Sequence, residues 1–563
     1  MSQIILTQEQ KDIISSVKEG KNLRITARAG AGKTSTLVAT ANAVPKSALY
    51  LAFNKAMVED AKPKFPEYVD VKTWHSLAYA SFGHDLHHKL SRQSGEYRNV
   101  LGTGREIGIA LKLKNFIVGD SYLSSAAMGL AVKMTVNKFE NSSDTHLGKN
   151  HVSFTVADKF RKGNRFVKEF SIPEYSKIVL AAAKKLWKKR TDPLDDTLAT
   201  HDTYLKLYQL SNPILDEYDI IYSDESQDSS DVMIDILKKQ KCQIVVVGDS
   251  YQQIYSFRGS VNAMDKFDYE TLYLTKSFRF GEDVAKVASM LIGSPLYGND
   301  KIQSLVQTPF DGCPPAQRTI IYRTNSSMLF DACMFSSQGL SVNIETDIRS
   351  VCSLLRSALA LKNGDRKAVK SEELTPFNTW EEFEQECKNE RSQLSYIYGI
   401  IKQGRALEII GFAETYKKCS NPDIILTTSH KAKGLEWDSV VLADDFPEIE
   451  KMKGDELNLL YVAATRGKRY LQINSQLYSV VNKMFSDSLK LNVKETLVVN
   501  PDNKDLVLSK MKEDADNQFT DILLQSGDID TQDALIDMAF EDGLQREDIP
   551  LSYLTSNNDF RAF

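Results

Sequence analysis

Residues 27–34 read Ala-Arg-Ala-Gly-Ala-Gly-Lys-Thr and directly follow the short apolar stretch Leu23–Thr26. A glycine-rich turn that leaves a strand and opens a helix on Gly-Lys-Thr restricts the fold more than any other feature of the chain. Glycines let backbone N–H groups turn inward around phosphate oxygens, and the first helical turn adds its own unpaired N–H groups. Lys33 is expected to reach the β- and γ-phosphates, and the Thr34 hydroxyl to take a place on Mg²⁺. Ala29, Gly30, Ala31, Gly32 and Ser35 complete the expected cradle. The general pattern has Gly where this chain has Ala27. The chain is expected to bind and hydrolyse a nucleoside triphosphate.

The rest of the pattern fits such a loop. Apolar, β-branched runs at Ala48–Phe53, Ile220–Ser223, Gln243–Val247 and Thr271–Leu274 alternate with helical patterns such as Thr34–Ala43 and Ser230–Lys239. Strands alternating with helices predict a parallel sheet covered on both faces. A second set of runs, at Ala316–Arg323, Ile424–Thr428, Ser439–Ala443 and Tyr470–Asn474, predicts a second unit of the same kind. Each unit is interrupted. Residues 90–200 are helical in pattern and rich in Lys and Arg, with segments Arg105–Phe116, Ala126–Phe139 and Pro173–Lys189. Residues 350–420 form a smaller helical interruption.

Charge is uneven along the chain. The total is −5, but residues 501–563 carry 15 acidic against five basic side chains, a net of −10. Removing −10 from −5 leaves the body at +5, mildly basic beside an acidic tail. No run approaches the ~18–20 apolar residues that span a bilayer, and Met1–Lys11 lacks a signal pattern. Six cysteines are scattered without a Cys-x-x-Cys pair, which suits free thiols in a reducing compartment. A cytoplasmic protein without a membrane partner is expected, nucleoid-associated if the source is bacterial or viral and nuclear if it is eukaryotic.

Two further runs carry chemistry. Tyr218–Asp228 is an apolar strand ending in Asp224-Glu225. A strand-end carboxylate at Asp224 can hold Mg²⁺, and its neighbour Glu225 can orient and deprotonate an attacking water. Gln243–Gly259 passes through a strand into Gln252-Gln253, where a strand-end amide can sense the γ-phosphate, then Tyr255, Phe257 and Arg258, residue types that stack on bases and contact phosphates. Tyr255 is equally open to a core role.

Taken in order, these motifs resemble a superfamily 1 helicase of the UvrD/Rep/PcrA group, over about residues 4–475. Leu51–Met57 and Thr73–Phe82 are closest to the F-box DNA helicase branch. In that family the phosphate loop often begins with Ala, as at Ala27. The resemblance implies two tandem RecA-like parallel-sheet domains with mainly helical insertions, an α/β fold. Domain 1A would comprise 1–90 and 200–280, insertion 1B 91–199, domain 2A 281–350 and 421–475, insertion 2B 351–420, and the acidic tail 476–563. It implies that Gln10 reads the adenine and Phe278, in place of the family's Tyr, stacks on it. Glu436 would face the ribose, Gln252 would sense the γ-phosphate, and Arg279 and Arg466 would contact it, with Arg466 as arginine finger. Asn54, Lys55, Trp74, His75, Thr428 and His430 would contact DNA, and Phe257 stands where the family usually has a base-stacking Trp.

The implied activity is an ATP-dependent, Mg²⁺-requiring DNA helicase that moves 3′→5′ on single-stranded DNA and engages single-strand/duplex junctions. A DNA-activated ATPase that senses or clamps DNA within a defence or repair complex is the alternative. A helicase–nuclease fusion is disfavoured, since 476–563 holds no Asp…Glu-x-Lys-type cluster. No F-box-like segment precedes Ile4, so the ubiquitin-ligase role of that branch is not expected. The tail is a candidate docking segment for a protein partner: Asp533–Leu544 reads as an amphipathic helix, a packed segment or a disordered one.

Overall fold

The computed structural model describes residues 6–90, 102–254, 263–309, 315, 317–388, 394–452 and 455–481. Within them lie two six-stranded sheets, both wholly parallel. The first is built from β1 (Leu23–Ala27), β2 (Ala48–Ala52), β3 (Val69–Thr73), β4 (Ile220–Ser223), β5 (Gln243–Gly248) and β6 (Glu270–Leu274), in the spatial order β6-β1-β5-β4-β2-β3. The second holds β7 (Leu305–Gln307), β8 (Arg318–Tyr322), β9 (Val342–Ile344), β10 (Ile424–Thr428), β11 (Trp437–Leu442) and β12 (Gly467–Gln472), in the order β7-β12-β11-β8-β10-β9. The α/β class and the paired parallel sheets are as the motif order implies.

Sequence explains the layering. Interior strands such as β2, Ala-Leu-Tyr-Leu-Ala, are buried at every residue because helices cover both faces. Ile25, Leu37, Tyr50, Val245 and Val247 fill one face of the first sheet, and Leu49, Trp74, Val232 and Val246 the other. In this sheet β5 lies between β1 and β4, so their C-terminal ends sit side by side. That edge carries the phosphate loop, Asp224 and Asp249, the usual ligand edge of an open α/β sheet. The second sheet contributes from its opposite ends: Glu436 immediately precedes β11 and Arg466 immediately precedes β12.

Both interruptions are mainly helical. Between β3 and β4 the helices Gly104–Ala110, Ser125–Glu140 and Ile172–Thr191 share their own core around Val132, Phe139, Tyr175 and Leu186. Two short antiparallel hairpins, Phe116–Val118 with Ser121–Leu123 and Arg161–Lys162 with Arg165–Phe166, decorate it. Between β9 and β10, the helices Ile348–Lys362, Trp380–Cys387, Ser395–Lys402 and Ala406–Thr415 continue the core of the second sheet. The two helical regions touch through Lys133–Glu372 at 2.7 Å and Lys159–Glu382 at 2.8 Å.

Some local expectations need correction. The helical pattern over Arg105–Phe116 ends at Ala110; Lys112 turns the chain at φ +53, and Phe116 starts a strand. Strands β3, β7 and β9 escape the pattern. Val-Asp-Val-Lys-Thr alternates polar residues because β3 is an edge strand, and the other two have only three residues each. No helix among the described residues is long and apolar enough to cross a membrane.

The helices Gly104–Ala110 and Ser125–Glu140 meet on glycines. A Cβ on Gly129 would stand 1.9 Å from the carbonyl oxygen of Gly104, whereas one on Gly399, also within a helix, would meet nothing within 4 Å. Gly129→Ala is therefore expected to destabilise the chain by about 1–3 kcal/mol through forced separation of the helices. Gly399→Ala should be neutral or stabilising by about 0.5–1 kcal/mol. Urea unfolding of the two variants against the parent checks both signs.

Candidate nucleotide site at the seam of the two sheets

The phosphate loop takes its shape from Gly30 and Gly32, at φ +71 and +73, backbone that side chains resist. Gly30 is required twice over: a Cβ there would lie 2.5 Å from Ser277 Oγ and 2.6 Å from Arg279 Cβ. The Gly30 carbonyl accepts from the Phe278 N–H at 2.7 Å, which fastens the loop to the segment after β6. Gly32, the N-cap of helix Lys33–Ala43, offers no side chain to its first N–H groups. Those groups of Lys33, Thr34 and Ser35 point outward from a helix start, where anions bind.

Two carboxylates face this helix from the end of β4. Asp224 Oδ2 accepts from Thr34 Oγ1 at 2.8 Å and from Tyr50 OH at 2.7 Å, and Oδ1 accepts from the Glu225 N–H at 2.8 Å. Glu225 adopts φ +50, a strained setting for a non-glycine residue of the kind that collects at functional sites. Lys33 Nζ lies 2.9 Å from Glu225 Oε1. Burial raises the Asp224 carboxyl, and neighbouring Glu225 raises it further. Burial also opposes ionisation of Glu225, but Lys33 and then Lys433 outweigh it and hold this group at about 2. Lys33 stays charged: burial opposes its charge, yet Glu225, Asp224 and Asp249 raise its affinity for the proton. Thr34 and Asp224 thus bring a hydroxyl and a carboxylate oxygen together, hard donors that fit Mg²⁺.

The second sheet closes the site. Tyr461 OH accepts from the Ala29 N–H at 3.0 Å and donates to Asp249 Oδ2 at 3.2 Å. Asp249 also accepts from Gln252 Nε2 at 2.7 Å. Asn458 Nδ2 donates to the Gln253 carbonyl at 2.9 Å, and Lys433 Nζ reaches the Gln252 carbonyl at 2.7 Å. Arg466 is buried, donating to the carbonyls of Val462 and Leu435 and to Thr465 Oγ1. No carboxylate pairs with it among the described residues, and burial with nearby Arg279 pulls its pKa down to about 9, so it remains a cation at neutral pH. Arg279 itself pairs with Glu436 at 2.8 Å, and Glu436 also faces Lys468 at 3.4 Å.

Around Gly32 the structure gathers Gln10 and Phe278. A Cβ on Gly32 would be 3.3 Å from the Phe278 ring and 3.8 Å from Gln10 Nε2. Gln10 is buried, bonded to Thr36 Oγ1 at 2.9 Å and to the Thr7 N–H at 3.0 Å, while the Phe278 ring is exposed. Contacts thus join Lys33, Thr34, Asp224 and Glu225, and join Arg279 to Glu436, while Gln10 and Phe278 both stand beside Gly32. Gln252 bonds Asp249, Arg466 is buried near Arg279, and Ser35 is exposed at its helix.

The residues expected to meet DNA are more dispersed. Asn54 caps the helix Lys55–Ala61 by accepting from the Met57 N–H at 3.0 Å, and Lys55 is exposed beside Glu59. His75 Nε2 lies 3.2 Å from Asp202 Oδ1, edge-on to His201 and Tyr204. The Trp74 ring does not face outward as expected. It is 2% exposed and packs in the core with Leu77 and Leu86, because the helix starting at Trp74 turns its apolar face inward. Thr428 is buried at the end of β10. Tyr255, Phe257 and Arg258 lie outside the described residues, as does the tail beyond 481.

Several contributors carry no advance signal of their role: Tyr50, Gln227, Asp228, Asp249, Lys433 and Tyr461. Most stand inside motifs already singled out, but nothing in those runs tells a buried bridging side chain from a core one. Glu9 is another, accepting from both the N–H and the hydroxyl of Thr275 and so tying the Gln10 helix to the end of β6.

Residues 134–478 match the UvrD-like helicase C-terminal domain. The chain is 32% identical over 531 residues to F-box DNA helicase protein 1 of Schizosaccharomyces pombe, a match covering 83% of this chain and 57% of that protein. It is 30% identical over 519 residues to F-box DNA helicase 1 of Gallus gallus, covering 85% of this chain and 50% of that one. The chain thus spans about half the length of the curated relatives it matches.

His430 supplies a pH test of the seam. Burial, with Arg323 nearby, pushes its pKa down to about 4, against opposing pulls from Glu456, Asp455 and the Ile254 backbone. The unfolded chain, with its His near 6.5, binds the proton more readily than the folded one between those values, so folding stability falls as pH drops from about 6.5 toward 4. The thermal midpoint of His430→Gln is expected to fall less over that interval than that of the parent. Equal slopes would contradict the assigned environment.

Proposed function

This chain belongs to the UvrD-like helicase family, and we propose that it is an ATP-dependent DNA helicase that moves 3′→5′ along single-stranded DNA and unwinds duplex ahead of it. The observation that carries the reading is the seam. A phosphate loop, two strand-end carboxylates and Arg279 on the first sheet's side face Arg466, Tyr461 and Glu436 from the other. In this reading 1–90 with 200–280 and 281–350 with 421–475 are the two lobes, 91–199 and 351–420 their insertions, and 476–563 a tail. The direction of travel rests on the family resemblance.

The proposed chemistry follows from charge. The loop N–H groups and Lys33 bind the β- and γ-phosphates of ATP, while Gln10 and Phe278 receive the adenine and Glu436 the ribose side. Thr34 and Asp224 would hold Mg²⁺, which when bound neutralises charge on the phosphate oxygens. Glu225, ionised at neutral pH, accepts a proton from the attacking water. Arg466 and Arg279 meet the charge that develops on the transferring group, a contribution of about 10³–10⁵ in rate where such arginines have been removed. Because Arg466 comes from the second sheet, and Arg279 on the first side is paired with Glu436 of the second, ATP favours approach of the sheets and its cleavage relaxes them. With Asn54, Lys55 and His75 on one lobe and Thr428 and His430 on the other gripping one strand, that cycle moves the grips past each other. The DNA partner and a DNA-containing compartment follow only from the resemblance.

Lys33→Ala and Glu225→Gln are each expected to lower ATP turnover by at least about 10³, the scale of lost phosphate positioning and general-base chemistry combined. In the parent, an oligonucleotide is expected to stimulate that turnover. Unchanged hydrolysis in Glu225→Gln would remove the assigned base. Strand displacement on 3′-tailed but not 5′-tailed duplex is expected. Stimulated ATPase without displacement would instead favour the DNA-sensing alternative.

A further inference from the structure

The base assigned to the first sheet is tied to the second sheet by side chains in series. Glu225 Oε1 faces Lys33, while Oε2 accepts from Gln227 Nε2 at 2.6 Å. Gln227 is fully buried, and its oxygen accepts from the Asp249 N–H at 3.1 Å. A Cβ on Gly248 would stand 2.4 Å from that oxygen, so the amide is held in one place by packing as well as by its bonds. The same Nε2 donates to Asp228 Oδ2 at 3.3 Å, so both amide hydrogens are committed to carboxylates. Asp228 Oδ2 in turn meets Lys433 Nζ at 2.5 Å, with both side chains largely buried. Lys433 also donates to the carbonyl of Gln252, in the short turn Ser250–Gln252 that follows β5.

Lys433 stands next to Ala432, a buried residue of the second sheet's core. It follows the short helix Ser429–Ala432, which begins at the end of β10, where Thr428 and His430 lie. Any ligand that shifts the 428–432 turn must shift the Lys433 ammonium, and a buried ammonium cannot leave Asp228 without cost. Among the described residues Asp228 Oδ1 has no hydrogen-bond partner, so this carboxylate is held by Lys433 and Gln227, with Lys33 adding a favourable charge. Its position therefore follows the lysine, and the amide and Glu225 follow it.

We propose that Lys433 is a positioning residue for the hydrolytic base: through Asp228 and Gln227 it sets how Glu225 is held, so that single-stranded DNA on the 428–432 turn controls ATP cleavage at the other sheet. The proposal rests on the helicase reading above and deepens it by naming the route of coupling. An adhesive pair that merely joins the sheets would affect folding and nucleotide affinity together. A positioning relay affects turnover at saturating ATP and DNA and leaves affinities in place.

The experiment is steady-state ATP hydrolysis by the full chain with and without oligothymidylate, alongside anisotropy titration of the labelled oligonucleotide. Lys433→Met is expected to lose at least tenfold in DNA-stimulated kcat, with KM for ATP and the oligonucleotide Kd within twofold of the parent. Lys433→Arg should recover most of the loss. In an Asp228→Asn background, Lys433→Met should cost no more than twofold further, because the two act through each other. Retained stimulation in Lys433→Met, multiplicative losses in the double variant, or a loss explained by weaker oligonucleotide binding would each overturn the relay. If Lys433→Met does not fold, Gln227→Met, which keeps the charge pair, must show the same kcat loss; unaltered turnover there overturns it too. A parent enzyme that hydrolyses ATP without any response to DNA would overturn the helicase reading along with the relay, whereas a responsive parent with a responsive Lys433→Met overturns the relay alone.

Discussion

A backbone amide of the phosphate loop is satisfied by a tyrosine from the opposite sheet. Tyr461 takes the Ala29 N–H and gives its own proton to Asp249, at the end of the strand beside β1. All three groups are buried, so none can exchange its partner for water without opening the seam. That bond fixes the second sheet's Glu456–Ala464 helix against the loop, and Thr465 and Arg466 follow directly from it. The geometry of the cleft depends on this contact more than on any single apolar one.

Electrostatics explains why the seam is polar at all. Asp224, Glu225, Asp228 and Asp249 crowd the C-terminal edge of the first sheet, and burial penalises each of them. Lys33 from the same sheet offsets part of that charge, and Lys433 from the other offsets more. Breaking one partner of a buried pair typically costs about 3–5 kcal/mol, so the sheets are held in register by charges as well as by packing. Arg466 and Arg279 stand apart from this compensation. Arg466 is satisfied by carbonyls, and Arg279 by Glu436 from the second sheet. Their cationic charge is available to the phosphates of the proposed substrate.

Much of this was legible before any coordinates. The loop, the Asp224-Glu225 strand end and most central strands follow from apolar runs that stop at glycine or carboxylate residues, because buried parallel strands leave that signature. Of the four edge strands only β6 shows in the sequence, as Thr271–Leu274: β3 alternates Val with Asp and Lys, and β7 and β9 are too short to show a period. The helical interruption was legible as helix but not where its first helix stops, since Lys112 enters the left-handed region without a glycine to announce it. Trp74 shows the limit for single residues, its ring serving the core from within a motif expected to face DNA. The bridging side chains Gln227, Asp228 and Tyr461 carry roles that exist only across the fold, separated from their partners by up to 432 residues.

The central claim is that one triphosphate is shared by both sheets. Hydrogen–deuterium exchange with and without a non-hydrolysable ATP analogue and Mg²⁺ measures this directly. The account predicts slower exchange at residues 29–36 and 276–280 on the first sheet's side together with 461–468 of the second. Slowing confined to 29–36 and 276–280, with 461–468 unchanged at saturating analogue, would contradict it.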